Sequence, residues 1–261
     1  MRFLKTIMIA AACVLGAVSA HAAQCGNDEG GFSAWKSAFA PEAKAAGVGP
    51  RGLSALAGTN YATKTIYADR HQKSFHLSLG EFMNKRGSAA IVARGRSLKA
   101  ANAGLFASIE ANYGVPAGPI IAIWGMETGF GAVTGNQNTI SAVASLAYDC
   151  RRHDYFTEQL IAALKLVDRG TLSASSIGAM HGEVGQTQFM PKNIFAYGTG
   201  GSLTNKEVAL RSTANFLRGH GWRRGAGYQP GQPNFAAIQG WNAATVYQQA
   251  LAIMGKQIDG N

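Results

Sequence analysis

Val115-Pro116-Ala117-Gly118-Pro119-Ile120-Ile121-Ala122-Ile123-Trp124-Gly125-Met126-Glu127-Thr128-Gly129-Phe130-Gly131 is the stretch on which the reading of this chain turns. Two prolines fit a helix opening, where a missing N–H is no loss, and the closing glycines fit a helix end. Between them, Ile120–Glu127 reads as a short apolar helix buried in a core, and its last side chain is a carboxylate. Two effects there raise a carboxyl's pKa: desolvation penalises the charged form, and the negative end of the helix dipole repels it. A carboxyl kept neutral near pH 7 is what a general acid needs. The segment alone leaves open that Glu127 caps the helix at the surface or pairs with an arginine.

Helical patterns continue on both sides of it. Ser33 is placed to cap a helix carrying Trp35, Phe39 and Ala43, ended by Gly47. From Ser88 apolar residues recur at threes and fours through Ile91, Leu98, Leu105, Ile109 and Tyr113, predicting one long helix up to Gly114. Further helices are expected over Ser141–Asp149, Asp154–Arg169, Glu207–Gly219 (capped by Thr204) and about Ala243–Lys256. Residues 54–79 are mixed, with Lys64, Arg70, His71 and Lys73 among aromatics. Strand-like alternation is confined to Thr187–Met190 and the 58–80 region. The fold class expected is mainly α, a helical globule with a groove, at most a small β element, and a small helical lobe at one side.

A second chemical feature is His181-Gly182-Glu183-Val184-Gly185-Gln186-Thr187-Gln188-Phe189-Met190-Pro191. Its glycines let backbone approach a ligand, and the amides of Gln186 and Gln188 suit sugar hydroxyls. The plainer alternative is a tight loop packed by Phe189 and Met190. A zinc site at His181-Gly182-Glu183 lacks its second cysteine or histidine half.

The N-terminus predicts export. Arg2 and Lys5 precede an apolar run from Ile7 to Val18 and a small-x-small site at Ala20-His21-Ala22, the three parts of a cleavable leader. Residues 1–22 are therefore read as a signal peptide and 23–261 as one domain, with no stable membrane insertion. The run is too short to span a bilayer. A lipid anchor on Cys25 is disfavoured by Gln24 before it. The formal charge of +10, less the two charges of the leader, favours anionic polymers and lipid head groups as partners; nucleic acid is not expected outside the cytoplasm. Cys25 and Cys150 survive processing, and an even count in an oxidising compartment reads as one disulfide, two free thiols being the alternative.

Taken together, the segments resemble the membrane-bound lytic transglycosylase B family, also called family 3 lytic transglycosylases. The landmarks run in order: Ala93-Arg94-Gly95-Arg96, Ile109 to Pro116, Ile123 to Gly131, Leu146-Ala147-Tyr148 with Arg151-Arg152 and Tyr155-Phe156. Then follow Gly185 to Pro191, Ala214-Asn215-Phe216-Leu217 with Gly219-His220-Gly221-Trp222, and Trp241-Asn242. The resemblance covers residues 32 to 257. It implies a lysozyme-like fold, peptidoglycan glycan strands as substrate, a monomer acting without cofactor, and Glu127 as the essential acid. In that family the acid protonates the glycosidic oxygen between N-acetylmuramic acid and N-acetylglucosamine. It then takes the proton of the muramyl C6 hydroxyl, which closes on C1 as a 1,6-anhydro end. No water is used, so the usual second carboxylate is not required. By the same resemblance Gln188 contacts sugar, and Asn242 lies beside the acid. Tyr148, Tyr155 and Phe189 form aromatic walls, or else pack in the core.

Three departures from the family stand out. Many members have a serine where this chain has Ala179. Glu183 replaces an apolar residue; it is placed to modulate the acid or bind peptide amines, or is a solvated loop residue. Relatives insert an acidic calcium loop after Pro191, whereas Tyr197-Gly198-Thr199-Gly200-Gly201-Ser202 carries no carboxylate, so no metal is expected. Two rival functions remain: a lysozyme-type muramidase using Glu183 as second carboxylate, and a non-catalytic wall-binding protein.

Overall fold

A computed structural model describes residues 23–72 and 77–260 of the chain. The leader read at 1–22 lies outside them, as does Lys73. After a single 3-10 turn at Glu29–Gly31 the described residues form thirteen helices. These are α1 (Phe32–Ala45), α2 (Pro50–Ala57), α3 (Thr63–Arg70), α4 (Leu79–Lys85), α5 (Ser88–Ala101), α6 (Ala103–Tyr113) and α7 (Ala117–Thr128). After them come α8 (Thr139–Tyr148), α9 (His153–Asp168), α10 (Pro191–Tyr197), α11 (Lys206–Gly219), α12 (Phe235–Trp241) and α13 (Thr245–Asp259). One two-stranded antiparallel sheet pairs β1 (Gln137–Asn138) with β2 (Ile177–Gly178), Gln137 opposite Gly178.

The apolar stretch forms α7 and becomes the axis of the molecule. Ile120, Ile121 and Ile123 are fully buried, each contributing about 1.5–3 kcal/mol of transfer free energy. α5, α6, α11 and α13 surround it. The closest approach is to α13, where a side chain at Gly118 would meet the Gly255 carbonyl at 2.2 Å. Asp259 ties the same crossing by accepting from the Gly118 N–H at 2.8 Å, a carboxylate at the positive end of α7. A second group of helices forms around α8 and α9, against which α1, α2, α3 and α10 pack. Asp168 caps α2 across it, accepting from Gly49 and Gly52 N–H at 2.6 and 2.8 Å.

Cys25 and Cys150 are disulfide-bonded, with Cα atoms 5.0 Å apart and a sequence separation of 125. Closing so long a loop stabilises the fold by about 4 kcal/mol in the chain-entropy picture. Alongside, Gly26 and Asp149 pair as a single parallel bridge, so the N-terminal segment is held by backbone as well as sulfur.

Several expected elements differ. The long 88–113 helix is two helices broken at Asn102, whose φ of −124° and ψ of 33° leave helical space. Its Nδ2 donates back to Leu98 O, and its Oδ1 accepts from Lys206, the local competition that makes Asn a helix breaker. Apolar residues still recur at threes and fours because both helices pack on α7. Gly31 rather than Ser33 precedes α1, and Asn205 rather than Thr204 caps α11, accepting from Glu207 and Val208 N–H. Among its described residues the 58–80 region holds helix α3 and the start of α4 and no strand, and Thr187–Met190 offers only one bridge, Phe189 to Val184. Two loop residues on each side, Gln137-Asn138 and Ile177-Gly178, too few for an alternating pattern, make the actual sheet.

Candidate active site

α7 ends as its sequence predicts. Gly129 turns left-handed (φ 59°), and its N–H and that of Phe130 bond back to Gly125 and Trp124 carbonyls. Glu127 therefore sits in the last turn, its carboxyl reaching the floor of a cleft. That cleft, about 280 Å³, is lined by Glu127, by residues 179–181, Glu183 and residues 188–190 of the loop before α10, by Asn193 on α10, and by Trp241-Asn242. A larger cavity of about 820 Å³ opens at the other end of α7, beside Pro116 and Ala117. Its mostly buried acid, Asp259, is engaged by Lys99 and by the Gly118 N–H and Tyr228 O–H donors, so chemistry points to the smaller one.

Two donors hold the acid. Tyr247 O–H donates to Glu127 Oε1 at 2.5 Å and Trp241 Nε1–H at 3.1 Å. Burial pushes the Glu127 carboxyl above the usual carboxylate range; the two donors and Arg86 pull it down, and Glu183 pushes it up, burial prevailing. The Tyr247 phenol is itself driven well above its ordinary value by burial and by Glu127 beside it, so it stays a donor.

Glu183 behaves oppositely in the same cleft. Burial pushes its carboxyl up, but hydrogen bonds from the His181 side chain and backbone and from its own backbone, with the imidazole's charge, outweigh that and hold it low. His181 N–H lies 3.0 Å from Glu183 Oε2, and Nδ1 3.5 Å from Oε1. Two carboxyls in one cleft with environments that drive their protonation apart are the pattern of an acid and an ionised partner.

The other sequence candidates divide. Gln188, Phe189 and Asn242 line the cleft. Gln188 has a left-handed backbone (φ 54°) and donates to Gly185 and Thr134 carbonyls. Phe189 is buried, edge-on to Phe216 and Trp241, so it supports the wall from behind. Gln186 is not presented to the cleft. Its Oε1 accepts from Trp124 Nε1–H, its Nε2 donates to Thr204, and its carbonyl accepts from Thr128, bracing the loop on α7. Tyr148 also lies elsewhere, packed among Phe32, Trp35 and Tyr61 in the core. Tyr155 is half exposed and edge-on to Phe156, near enough to Glu183 to feel its charge. Tyr247 is the partner that sequence reading did not supply. A buried tyrosine requires an acceptor for its O–H, but nothing in the chain says that the acceptor lies 120 residues away.

A mainly helical fold with one buried acid at the end of its central helix and a cleft above it defines the lysozyme-like class of glycan-cleaving folds. A family model described as a transglycosylase SLT domain matches residues 31–232, and the chain belongs to that family. Over 137 residues, 47% of this chain, it is 33% identical to the membrane-bound lytic murein transglycosylase B of Escherichia coli K12. That match spans only 38% of the relative's length. SltB3 from Pseudomonas aeruginosa, solved in complex with NAG-anhNAM-pentapeptide, superposes with a TM-score of 0.80 at 26% identity, covering 88% of this chain and 80% of that one. SltB1, a soluble lytic transglycosylase of the same organism, gives 0.77 at 22% identity over 86% of this chain and 98% of that one, a likeness of fold.

Proposed function

We propose that this chain is a peptidoglycan lytic transglycosylase with Glu127 as acid and then base. The observation that carries the reading is the buried carboxyl in the last turn of α7, opening on a cleft and held by Tyr247 and Trp241. Protonated, Glu127 donates to the glycosidic oxygen between N-acetylmuramic acid and N-acetylglucosamine, and the bond to C1 breaks. The carboxylate left behind is received by the Tyr247 and Trp241 donors, which strengthen as charge appears. It then takes the proton of the muramyl C6 hydroxyl as that oxygen closes on C1. The acid is thereby restored, and a 1,6-anhydromuramyl end leaves. The NAG-anhNAM-pentapeptide in the SltB3 complex supports such a product for a cleft of this fold.

In the same proposal Gln188 and Asn242 orient sugar amide and hydroxyl groups, Tyr155 flanks the mouth, and Phe189 backs the wall. Export by the leader at 1–22 to the periplasm, and action as a monomer on glycan strands, complete it. No helix among the described residues is long and apolar enough to cross a membrane.

Mass spectrometry of fragments released from purified sacculi by residues 23–261, with Glu127→Gln as control, tests the reading. Anhydromuramyl ends that disappear in the variant are the expected result. Reducing muramyl ends would make the protein a hydrolase. Binding without release by either protein would make it a wall-binding protein.

A further inference from the structure

Glu183 is not delivered to the cleft by chance geometry. The loop that carries it turns at Gly182 (φ 92°), where any side chain would meet Val143 at 2.2 Å. Gly178 of β2 lies so close beneath that a side chain there would meet the Glu183 carbonyl at 2.2 Å. Ala179 N–H closes the loop on that carbonyl at 2.8 Å, and Gly182 N–H on Ala179 O at 3.2 Å. The small sheet and the α8 surface thus fix where Glu183 stands.

Behind it is a chain of charges. The imidazole of His181 faces Glu183 through Nδ1, while its Nε2 lies 3.9 Å from Asp69 Oδ1 on α3. Asp69 is buried and bound to both Arg151, at 2.6 Å, and Arg152. Thr65, one turn earlier on α3, donates to Met180 O at 2.7 Å and fastens the loop to the helix. A free loop glutamate needs no such backing. Side chains of glutamate carry high rotamer entropy, and here that freedom is removed with the carboxylate only a quarter exposed.

We infer that Glu183 is the second working carboxylate of this cleft, a fixed negative charge clamped by His181 that faces the positive charge developing on the sugar while Glu127 gives up its proton. The inference rests on the glycan-cleaving function proposed above and assigns an electrostatic partner that the transglycosylase scheme does not require. Glu183 forms no bond to substrate and moves no proton. It stabilises charge at the anomeric carbon from a fixed position, where a preoriented charge needs no reorganisation, and its charge favours the protonated form of Glu127. The groups that face Glu127 are Arg86, Tyr247, Trp241 and Glu183. Those that face Glu183 are His181, Arg152, Tyr155 and Glu127, with Asp69 behind the imidazole.

Kinetics of E183Q, E183A and E183D on isolated glycan strands across pH test this. E183Q and E183A remove the charge; kcat is expected to fall about tenfold, a modest share of what one preorganised electrostatic group supplies, with a smaller change in KM. Because Glu127 loses a negative neighbour, the alkaline limb of kcat/KM moves to lower pH in both. E183D keeps the charge, and the limb returns toward the parent's position. A structural role predicts a lower melting temperature with an unmoved limb. Unchanged kcat and unchanged limb in whichever of E183Q or E183A melts like the parent overturn the inference. Loss of anhydromuramyl product in the parent itself would instead overturn the proposed function, and the two failures are read from different proteins.

Discussion

Replacing Glu127 by glutamine is expected to make the protein more stable while it abolishes turnover. The glutamine is nearly isosteric, and its side-chain oxygen accepts from Tyr247 O–H and Trp241 N–H as the carboxyl does. What disappears is the cost of an ionised group in a buried place. Burial raises the folded-state pKa of Glu127 above its unfolded value. Its favourable contribution is therefore fully present below the unfolded value, about 4.3, and is lost as pH rises through the folded value. Above both, each unit of the rise is worth about 1.4 kcal/mol against the native state. For a domain of this size 1 kcal/mol moves Tm by about 2–4 °C. Thermal unfolding of parent and E127Q at pH 4 and pH 8 is the assay. The variant should melt with the parent at pH 4 and at least about 2 °C above it at pH 8. If E127Q instead melts at or below the parent at pH 8, the carboxyl is not strained by burial, and the account of how it stays protonated fails.

Three further expectations follow from the packing. Tyr247→Phe removes a donor that favours ionised Glu127, so the alkaline limb of kcat/KM moves to higher pH; a hydrogen bond to a charged group is worth about 1.5–3 kcal/mol, and kcat should fall at least about tenfold. Cys150→Ser opens the link to Cys25 and should cost about 2–5 kcal/mol in denaturant unfolding, while activity at 25 °C persists, because the cleft does not include either cysteine. Gly118→Ala forces a methyl against the Gly255 carbonyl and Asp259; separating α7 from α13 should cost about 1–3 kcal/mol, read as a lower Tm with the Glu127 pH profile unchanged.

The charge arrangement has a consequence for pH as a whole. Burial pushes one cleft carboxyl above the usual carboxylate range, and the bonds from His181 hold the other below it. In the proposed mechanism activity is expected to be bounded on the alkaline side by Glu127 and on the acid side by Glu183, which a pH profile of kcat/KM checks. A basic surface overall, with a formal +10 in the full sequence, draws the protein toward anionic polymer.

Local chemistry was legible in the chain wherever it obeyed a local rule. Residues 115–131 specified an apolar helix with a proline entrance and a glycine exit, and hence the position of Glu127, because burial on all sides, tolerance of proline at the cap and in the first turn, and a left-handed C-terminal glycine are properties of a dozen neighbouring residues. The glycine loop before Pro191 was legible for the same reason. The break at Asn102 was not, since both flanking helices keep one apolar period and only the side chain's bonds to Leu98 and Lys206 decide for the break. Nor could spacing separate Tyr148, a core residue, from Tyr155, an exposed one, or reveal that Gln186 serves the fold and not the cleft. The donors on Glu127 and the backing of His181 by Asp69 belong to the tertiary structure alone. Tyr247 lies 120 residues from the acid it holds, and Asp69 is 82 and 83 residues from the arginines that bind it. Sequence determines which groups can ionise; only packing determines how much water each keeps and which partner stands within reach, and those two quantities set the protonation of both carboxyls.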